Sequence, residues 1–265
     1  MAKKRVDAGR GRDAGVVKAS QQSVTNRAFF ILIAVIAVGG IGALTYASTR
    51  PKEGAVVSRI DTTLPPVKSE GYVTGSPTAP LEVVEFGDFE CPQCSRFATI
   101  TEPDVRSRLV NSGQIRLRYI DFPLPMHPNT WNASRAAACG DEQGKFWEMH
   151  DAIFQTQDQW DGEATRNPDK FLKGLAKQIG LKTDQFDQCV DTKKYQAKIQ
   201  AHLKLAEDRK VGGTPTFFIG DKMIDGFVTY DGFKKVVDDA LASATKAAPA
   251  FGGDTAEHTA AKPKP

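Results

Sequence analysis

The chain has 265 residues, 35 lysines and arginines against 32 aspartates and glutamates, and four cysteines. This length allows one large or two small domains and excludes a mini-protein held together only by disulfides. A charged fraction of 25% argues against a protein with many membrane spans. A net charge of +3 over the whole chain gives no indication of nucleic-acid binding.

Residues 1–27 form a basic segment with seven basic and two acidic side chains, a local net charge of +5. In the 20 residues that follow, 28–47, the only ionisable side chain is Tyr46. A helix of this length, at about 1.5 Å per residue, crosses a hydrocarbon layer of roughly 30 Å. The sequence therefore predicts one transmembrane anchor at 28–47, with the basic N-terminus in the cytoplasm.

A cleaved signal peptide is the alternative reading of this segment, because small residues occur near Ala47. The apolar region of a signal peptide is shorter, about 7 to 15 residues, which favours a retained anchor. Both readings place the rest of the protein outside the cytoplasm, in a periplasm or at the cell surface.

Two further segments have the composition of unfolded chain. Residues 48–71 mix Thr, Ser, Pro, Gly and scattered charges, which predicts a flexible linker. Residues 246–265 are rich in Ala, Gly, Pro and Lys, which predicts a disordered tail. The globular part is then 72–245, the size of one domain.

The first chemical signal is the sequence Cys91-Pro92-Gln93-Cys94, which follows the apolar run LEVVEF at 81–86. The run predicts a buried strand and the spacing after the cysteines predicts a helix. A helix N-terminus offers unpaired N–H groups and a positive dipole end, which stabilise a thiolate. We therefore expect Cys91 to be an acidic nucleophile and Cys94 its resolving partner, with Pro92 at the first helical position.

A structural disulfide and half of a zinc site are the alternatives for this motif. A zinc site needs a second close pair of ligands, but Cys139 and Cys189 each lack a Cys or His at ligand spacing. For the same reason the histidines of the globular part are interpreted as packing or surface residues; they are His127, His150 and His202.

The second chemical signal is Gly213-Thr214-Pro215, which precedes a strand at 216–219, a turn and a return strand at 222–225. A proline at the start of a strand either simply marks the strand end, where its missing N–H is tolerated, or is the site of a cis peptide bond. The cis form would expose the backbone of Thr214 for pairing with an extended peptide.

Helical spacing dominates from about residue 128 to 210 and predicts a helical insertion that contains Cys139 and Cys189. If bonded, these two cysteines close a loop of 51 residues, counted from 139 to 189 inclusive, for which chain entropy gives about 4 kcal/mol. Two buried free thiols are the alternative, and export favours a structural disulfide.

The order of strand, C-x-x-C helix, long helical stretch, GTPTFF strand, hairpin and helix resembles the DsbA-like thiol:disulfide oxidoreductases. Within them the chain most resembles the membrane-anchored subgroup, which shares phrases such as QGKFW at 143–147. The resemblance implies an α/β thioredoxin fold with an inserted helical domain, here preceded by one N-terminal transmembrane helix.

The resemblance also implies site residues: a catalytic disulfide between Cys91 and Cys94 and a cis bond before Pro215 lying against it. Glu85 matches the family's buried acidic residue that takes part in proton transfer. From the residues alone, Glu85 is either buried and able to move protons or on a solvated face of the strand. Strongly oxidising members have a histidine where this chain has Gln93, so its oxidising power is expected to be milder.

The sequence thus predicts an extracytoplasmic, membrane-tethered oxidase that exchanges disulfides with cysteine-containing exported proteins. No metal, organic cofactor or nucleic acid is expected, and the resemblance implies a membrane thiol oxidase that recycles the enzyme. The alternatives are a disulfide reductase or isomerase, a non-catalytic tethered peptide-binding module and a zinc-binding structural domain. The residues expected to contact substrate are Thr214, Pro215, Pro92 and Gln93, with Phe89 and Phe227 as apolar neighbours.

Overall fold

The computed structural model describes residues 29–40, 55–60 and 71–247, with side chains up to residue 244. The chain divides into two compact units, Met1–Lys52 and Glu53–Pro265. In the first unit, residues 29–40 form a helix, α1. No helix of the described residues is both long enough and apolar enough to span a membrane. The remainder of the predicted 28–47 anchor, the 1–27 segment and the tail from residue 248 lie outside the described residues.

The second unit contains a mixed six-stranded sheet in the order β1-β6-β5-β3-β4-β2. The central strands β3 and β4 are parallel, and the other neighbouring pairs are antiparallel. The strands are β1 Val56–Arg59, β2 Tyr72–Thr74, β3 Leu81–Gly87, β4 Ile115–Asp121, β5 Thr216–Ile219 and β6 Lys222–Asp225.

Strand β1 corrects the prediction of a flexible linker throughout 48–71. It pairs with β6, from Val56 opposite Asp225 to Arg59 opposite Lys222, and the amide of Ile60 donates to the carbonyl of Asp221 at 2.9 Å. A four-residue edge strand depends on hydrogen bonds from a strand far along the chain, which local composition does not reveal.

Strand β3 is central because it is bonded to β4 on one side and to β5 on the other. A strand covered on both faces requires a continuous apolar run, which explains the buried segment that begins at Val83. The strand ends at Gly87, where a Cβ atom would lie 2.4 Å from the ring of Tyr119. Glycine is required there because the tyrosine ring packs directly on the backbone.

The crossover between β3 and β4 is a helical stretch over residues 92–110, here called α2. It alternates α-helical and wider π-helical segments: Pro92–Arg96, Phe97–Thr101, Glu102–Val105 and Arg106–Val110. The sequence predicts a kink at Pro103, and in the structure Pro103 is the second residue of the α segment that follows the first π segment. Proline has no N–H for the helical ladder, so the turn around it widens while the helix continues.

The helical insertion lies between β4 and β5, as the sequence predicts. Its helices are α3 Thr130–Asp141, α4 Phe146–Gln155, α5 Asp169–Gln178, α6 Thr183–Asp191 and α7 Gln196–Asp208. Helix α8, Tyr230–Ala247, follows β6 and closes the domain.

Alternation along β3 divides the core between the two faces of the sheet. Val83 packs in a cluster with Phe97 of α2 and Phe233 of α8, whereas Val84 and Phe86 pack in a separate cluster on the other face. Because side chains two residues apart share a face, Glu85 points to the same side as Val83, towards α2.

Candidate active site

Cys91 is the residue immediately before the first turn of α2. Its backbone is extended, with φ −72° and ψ 124°, and Pro92 occupies the first helical position. Its carbonyl accepts the amide of Ser95 at 3.0 Å, which starts the helix. The thiol of Cys91 therefore lies at the positive end of α2, as the sequence predicts.

The two thiols of the motif differ in burial and acidity. Cys91 keeps 7% of its surface exposed and Cys94 none, and both are free thiols. A hydrogen bond from the Cys94 thiol, aided by Thr214 and the first backbone amides of α2, lowers the pKa of Cys91 to about 6. Burial, followed by the interaction with Cys91, raises the pKa of Cys94 well above the usual value. Cys91 is thus the thiolate at neutral pH and Cys94 the protonated partner.

The segment before β5 lies against the exposed thiol. The peptide bond between Thr214 and Pro215 is cis, and the Cys91 sulfur lies 3.4 Å from the carbonyl oxygen of Thr214, to which it donates a hydrogen bond when it is protonated. The hydroxyl of Thr216 donates to the carbonyl of Gly213 at 2.8 Å, which fixes the turn from behind. Two motifs separated by more than 120 positions in the sequence therefore meet at one sulfur atom.

The surface beside Cys91 is formed by Pro92 and Gln93, whose side chains are exposed. The side-chain oxygen of Gln93 accepts the backbone amide of Phe227 at 3.1 Å, and the Arg96 guanidinium stacks over the Phe227 ring at 4.0 Å. The expectation that Phe89 contacts substrate is wrong: Phe89 is fully buried. Its ring packs on Tyr119 and Phe154, because the turn before Cys91 directs it into the insertion.

Glu85 is buried beneath the thiols, which decides between its two sequence-based readings. It is 1% exposed, and neither carboxylate oxygen has a hydrogen-bond partner among the described residues. Burial, reinforced by the nearby Glu102 carboxylate, raises its pKa well above the usual value. Burial thus favours the protonated form of Glu85, which lies close enough to Cys94 to affect that thiol electrostatically.

The thioredoxin family model matches residues 68–239. This range contains both motifs and the whole insertion. The chain belongs to the thioredoxin family. Among solved structures it is similar to alpha-DsbA1 of Wolbachia pipientis, with a TM-score of 0.61 and 24% identity over 70% of this chain and 97% of that one. This likeness confirms the expected thioredoxin fold with its helical insertion.

Two curated relatives of this thioredoxin-family chain differ in size. The Na(+)/H(+) antiporter NhaA 3 of Salinispora tropica is 33% identical over 192 residues, which is 72% of this chain but 28% of the antiporter. The chain thus spans little more than a quarter of that relative. Disulfide bond formation protein D of Bacillus subtilis is 27% identical over 64% of this chain and 76% of its own length.

The thioredoxin domain also contains a partly buried charged cluster that the sequence pattern does not reveal. Arg106 pairs with Glu102 at 3.2 Å and also with Asp151. His150 lies 2.9 Å from Asp151 and 3.8 Å from Glu102. Burial raises the pKa of Glu102. His150 is buried, as expected of a packing residue. Its contacts with carboxylates on two helices could not be predicted, because they depend on how the helices pack.

The second cysteine pair of the thioredoxin domain is a disulfide. Cys139 of α3 and Cys189 of α6 are bonded, with their Cα atoms 5.8 Å apart, and both residues are buried. The bond joins two helices of the insertion that are separated in sequence by α4 and α5. Their proximity could not be read from the sequence, although the pairing was expected from export.

Proposed function

We propose that this chain is a thiol:disulfide oxidoreductase that oxidises cysteines of exported proteins. The observation that carries the proposal is the pairing of an acidic Cys91 with a buried, protonated Cys94 beside the Thr214 carbonyl. This arrangement separates an entering sulfur from a resolving sulfur, which thiol–disulfide exchange requires. The name of the Bacillus subtilis relative, a disulfide bond formation protein, supports the oxidising direction.

In the oxidised enzyme a substrate thiolate attacks the sulfur of Cys91. The bond between Cys91 and Cys94 breaks, and Cys94 leaves with the electron pair and takes a proton. A second substrate thiolate then attacks the substrate sulfur of the mixed disulfide and releases Cys91 as a thiolate. Two electrons pass from substrate to enzyme, and the low pKa of Cys91 makes it a good leaving group in the second step.

Glu85 is proposed to supply and accept the proton that Cys94 exchanges in this cycle. Burial raises the pKa of its carboxyl, which interacts with the Cys94 thiol. A carboxyl whose pKa is raised by burial can donate and accept a proton more readily at working pH than an ordinary carboxylate. Among the charged groups that affect the pKa of Glu85, the Glu102 carboxylate on α2 has the largest effect.

Substrate is proposed to lie as an extended peptide along the backbone of Thr214, with Pro215, Pro92 and Gln93 around it. The Thr214 carbonyl already accepts a hydrogen bond from the thiol. Main-chain pairing at this point holds the peptide without reading its side chains, which suits an enzyme that acts on many unfolded proteins.

The proposed location is outside the cytoplasm, tethered by residues 28–47. The support is the uncharged 20-residue run and the local charge of +5 that precedes it. A membrane thiol oxidase is the proposed recycling partner, because each turnover leaves two electrons on the enzyme that must pass to another acceptor.

The second candidate function, a disulfide reductase or isomerase, is favoured by Gln93, because a neutral amide stabilises the Cys91 thiolate less than a cation would. The equilibrium of the pair with glutathione decides the direction. A potential near that of thioredoxin, about −270 mV, would favour the reductase.

The enzyme assignment is tested by oxidative folding of a reduced, unfolded substrate with the wild type and C91S. The wild type is expected to accelerate disulfide formation, and C91S is expected to be inactive because the entering sulfur is gone. Ser107→Ala, which removes another small polar atom from the exposed side of α2, serves as the matched control. No acceleration by the folded wild type would favour the non-catalytic peptide-binding module, and full activity of a folded C91S protein would contradict the role assigned to Cys91.

A further inference from the structure

A carboxylate–histidine pair lies beside the turn that leads into Cys91. The Asp88 side chain is fully buried, and its Oδ2 atom lies 2.7 Å from Nδ1 of His127. The same carboxylate accepts the amides of Leu124 at 2.7 Å and Glu90 at 2.8 Å. His127 retains 17% exposure. The imidazole is therefore held in one orientation at the edge of the active site.

Asp88 connects this histidine to both thiols. Its backbone carbonyl accepts the amide of Cys91 at 3.1 Å, and its backbone amide donates to the sulfur of Cys94 at 3.5 Å. The carboxylate of Glu90, next to Cys91, accepts the amide of Asn129 at 2.6 Å. The loop at 124–129 is thus attached to both ends of the turn that precedes the nucleophile.

The surroundings of His127 favour its protonated form. The hydrogen bond with Asp88 raises its pKa against the opposing effect of burial, and the charges of Asp88, Cys91 and Glu90 act in the same direction. All three of these facing groups are anionic when ionised. A positive imidazolium beside a thiolate favours that thiolate by the same interaction.

We propose that His127, oriented by Asp88, is the cation that stabilises the thiolate of Cys91 and thereby strengthens the oxidising power of the pair. The inference rests on the proposed function. The charge comes from the loop after β4 rather than from inside the C-x-x-C motif, where this chain has Gln93.

The test compares H127Q, which removes the charge, with H127K, which keeps it. Met126→Leu, a change at the exposed neighbour, is the control. The equilibrium constant for oxidation of two glutathiones by the enzyme disulfide is measured at about pH 7 and about pH 9, with the pKa of Cys91 followed by thiolate absorbance. At about pH 7, H127Q is expected to lower this constant about three- to tenfold and to raise the pKa of Cys91.

Charge is distinguished from packing by two results. H127K is expected to remain close to the wild type, and the difference between H127Q and the wild type is expected to be smaller at about pH 9 than at about pH 7, because the imidazole loses its charge as the pH rises. An H127Q constant equal to the wild type, or an H127K constant equal to that of H127Q, would overturn the proposal. A wild-type pair that does not exchange with glutathione would instead reject the proposed function.

Discussion

The domain contains two pairs of cysteines, of which one is reduced and the other is bonded as a disulfide. Cys91 and Cys94 are free thiols three positions apart at the start of α2. Cys139 and Cys189 are bonded across 50 positions and lie inside α3 and α6. Burial does not distinguish the pairs, because all four residues are mostly or fully buried.

The difference lies in what surrounds each sulfur. Cys91 receives a hydrogen bond from Cys94 and meets the free amides of a helix N-terminus. Cys139 and Cys189 lie within helices, where the backbone amides are already bonded, so neither sulfur is stabilised as a thiolate. Position in the helix therefore decides which pair exchanges and which pair holds the fold.

The largest effect is expected from C94A, which removes the asymmetry of the reactive pair. Turnover should fall to the level without enzyme, because without Cys94 there is no Cys91–Cys94 disulfide to accept the two electrons of the substrate thiols. With a disulfide-bonded substrate, the Cys91 thiolate should form a mixed disulfide that accumulates, because no Cys94 thiol remains to release it. The pKa of Cys91 should rise above about 6, because its strongest hydrogen-bond donor is gone. Alkylation of Cys91 as a function of pH and non-reducing electrophoresis measure the two effects.

C189A, which leaves the reactive pair intact, is the comparison for C94A. It should form no mixed disulfide at Cys91 beyond the wild-type amount. Normal turnover by C94A would contradict the roles assigned to the two thiols of the motif.

The double variant C139A/C189A removes the structural disulfide and leaves the reactive pair in place. Loss of the cross-link should lower the free energy of unfolding by about 4 kcal/mol, because the unfolded chain gains the entropy of an open loop. The glutathione equilibrium of the Cys91 pair should stay within about twofold of the wild type, since distant sites are nearly additive. Chemical denaturation and redox titration measure both quantities. A large shift in the redox equilibrium would show that the pairs are coupled.

Glu85→Gln tests the buried carboxyl beneath the reactive pair. The rate of oxidation of a model thiol should fall about 10- to 100-fold, because an amide cannot exchange the proton of Cys94. The pKa of Glu85 is raised by burial, so its stabilising contribution is complete below its unfolded pKa and is lost as the pH rises through the folded value. E85Q should therefore lose less stability than the wild type on going from acid to alkaline pH.

Glu82 on the same strand provides the control, because it pairs with Arg118 at 2.9 Å and its pKa is lowered rather than raised. E82Q should leave the oxidation rate unchanged. An E85Q rate equal to that of the wild type would assign Glu85 to packing alone.

Local patterns predict the parts of this fold that depend on neighbouring residues. The C-x-x-C helix, the strand at 216–219 and the insertion follow from runs, spacing and turn residues. Contacts between distant segments are not visible in this way: the pairing of β1 with β6, and the carboxylate of Asp88 on His127 across 39 positions. His127 is one of several isolated histidines in the sequence, and only the loop geometry distinguishes it from a surface residue.

The smallest expected effect comes from Q93H, which places a cation inside the motif. The exchange also removes the hydrogen bond from the Phe227 amide to Gln93, so the gain in oxidising power should be only about two- to fivefold in the wild type. In an H127Q background the same change should give a larger gain, because the first cation would no longer be present. A double-mutant cycle on the glutathione equilibrium measures this coupling. Equal gains in the two backgrounds would mean that the two positions act on Cys91 independently.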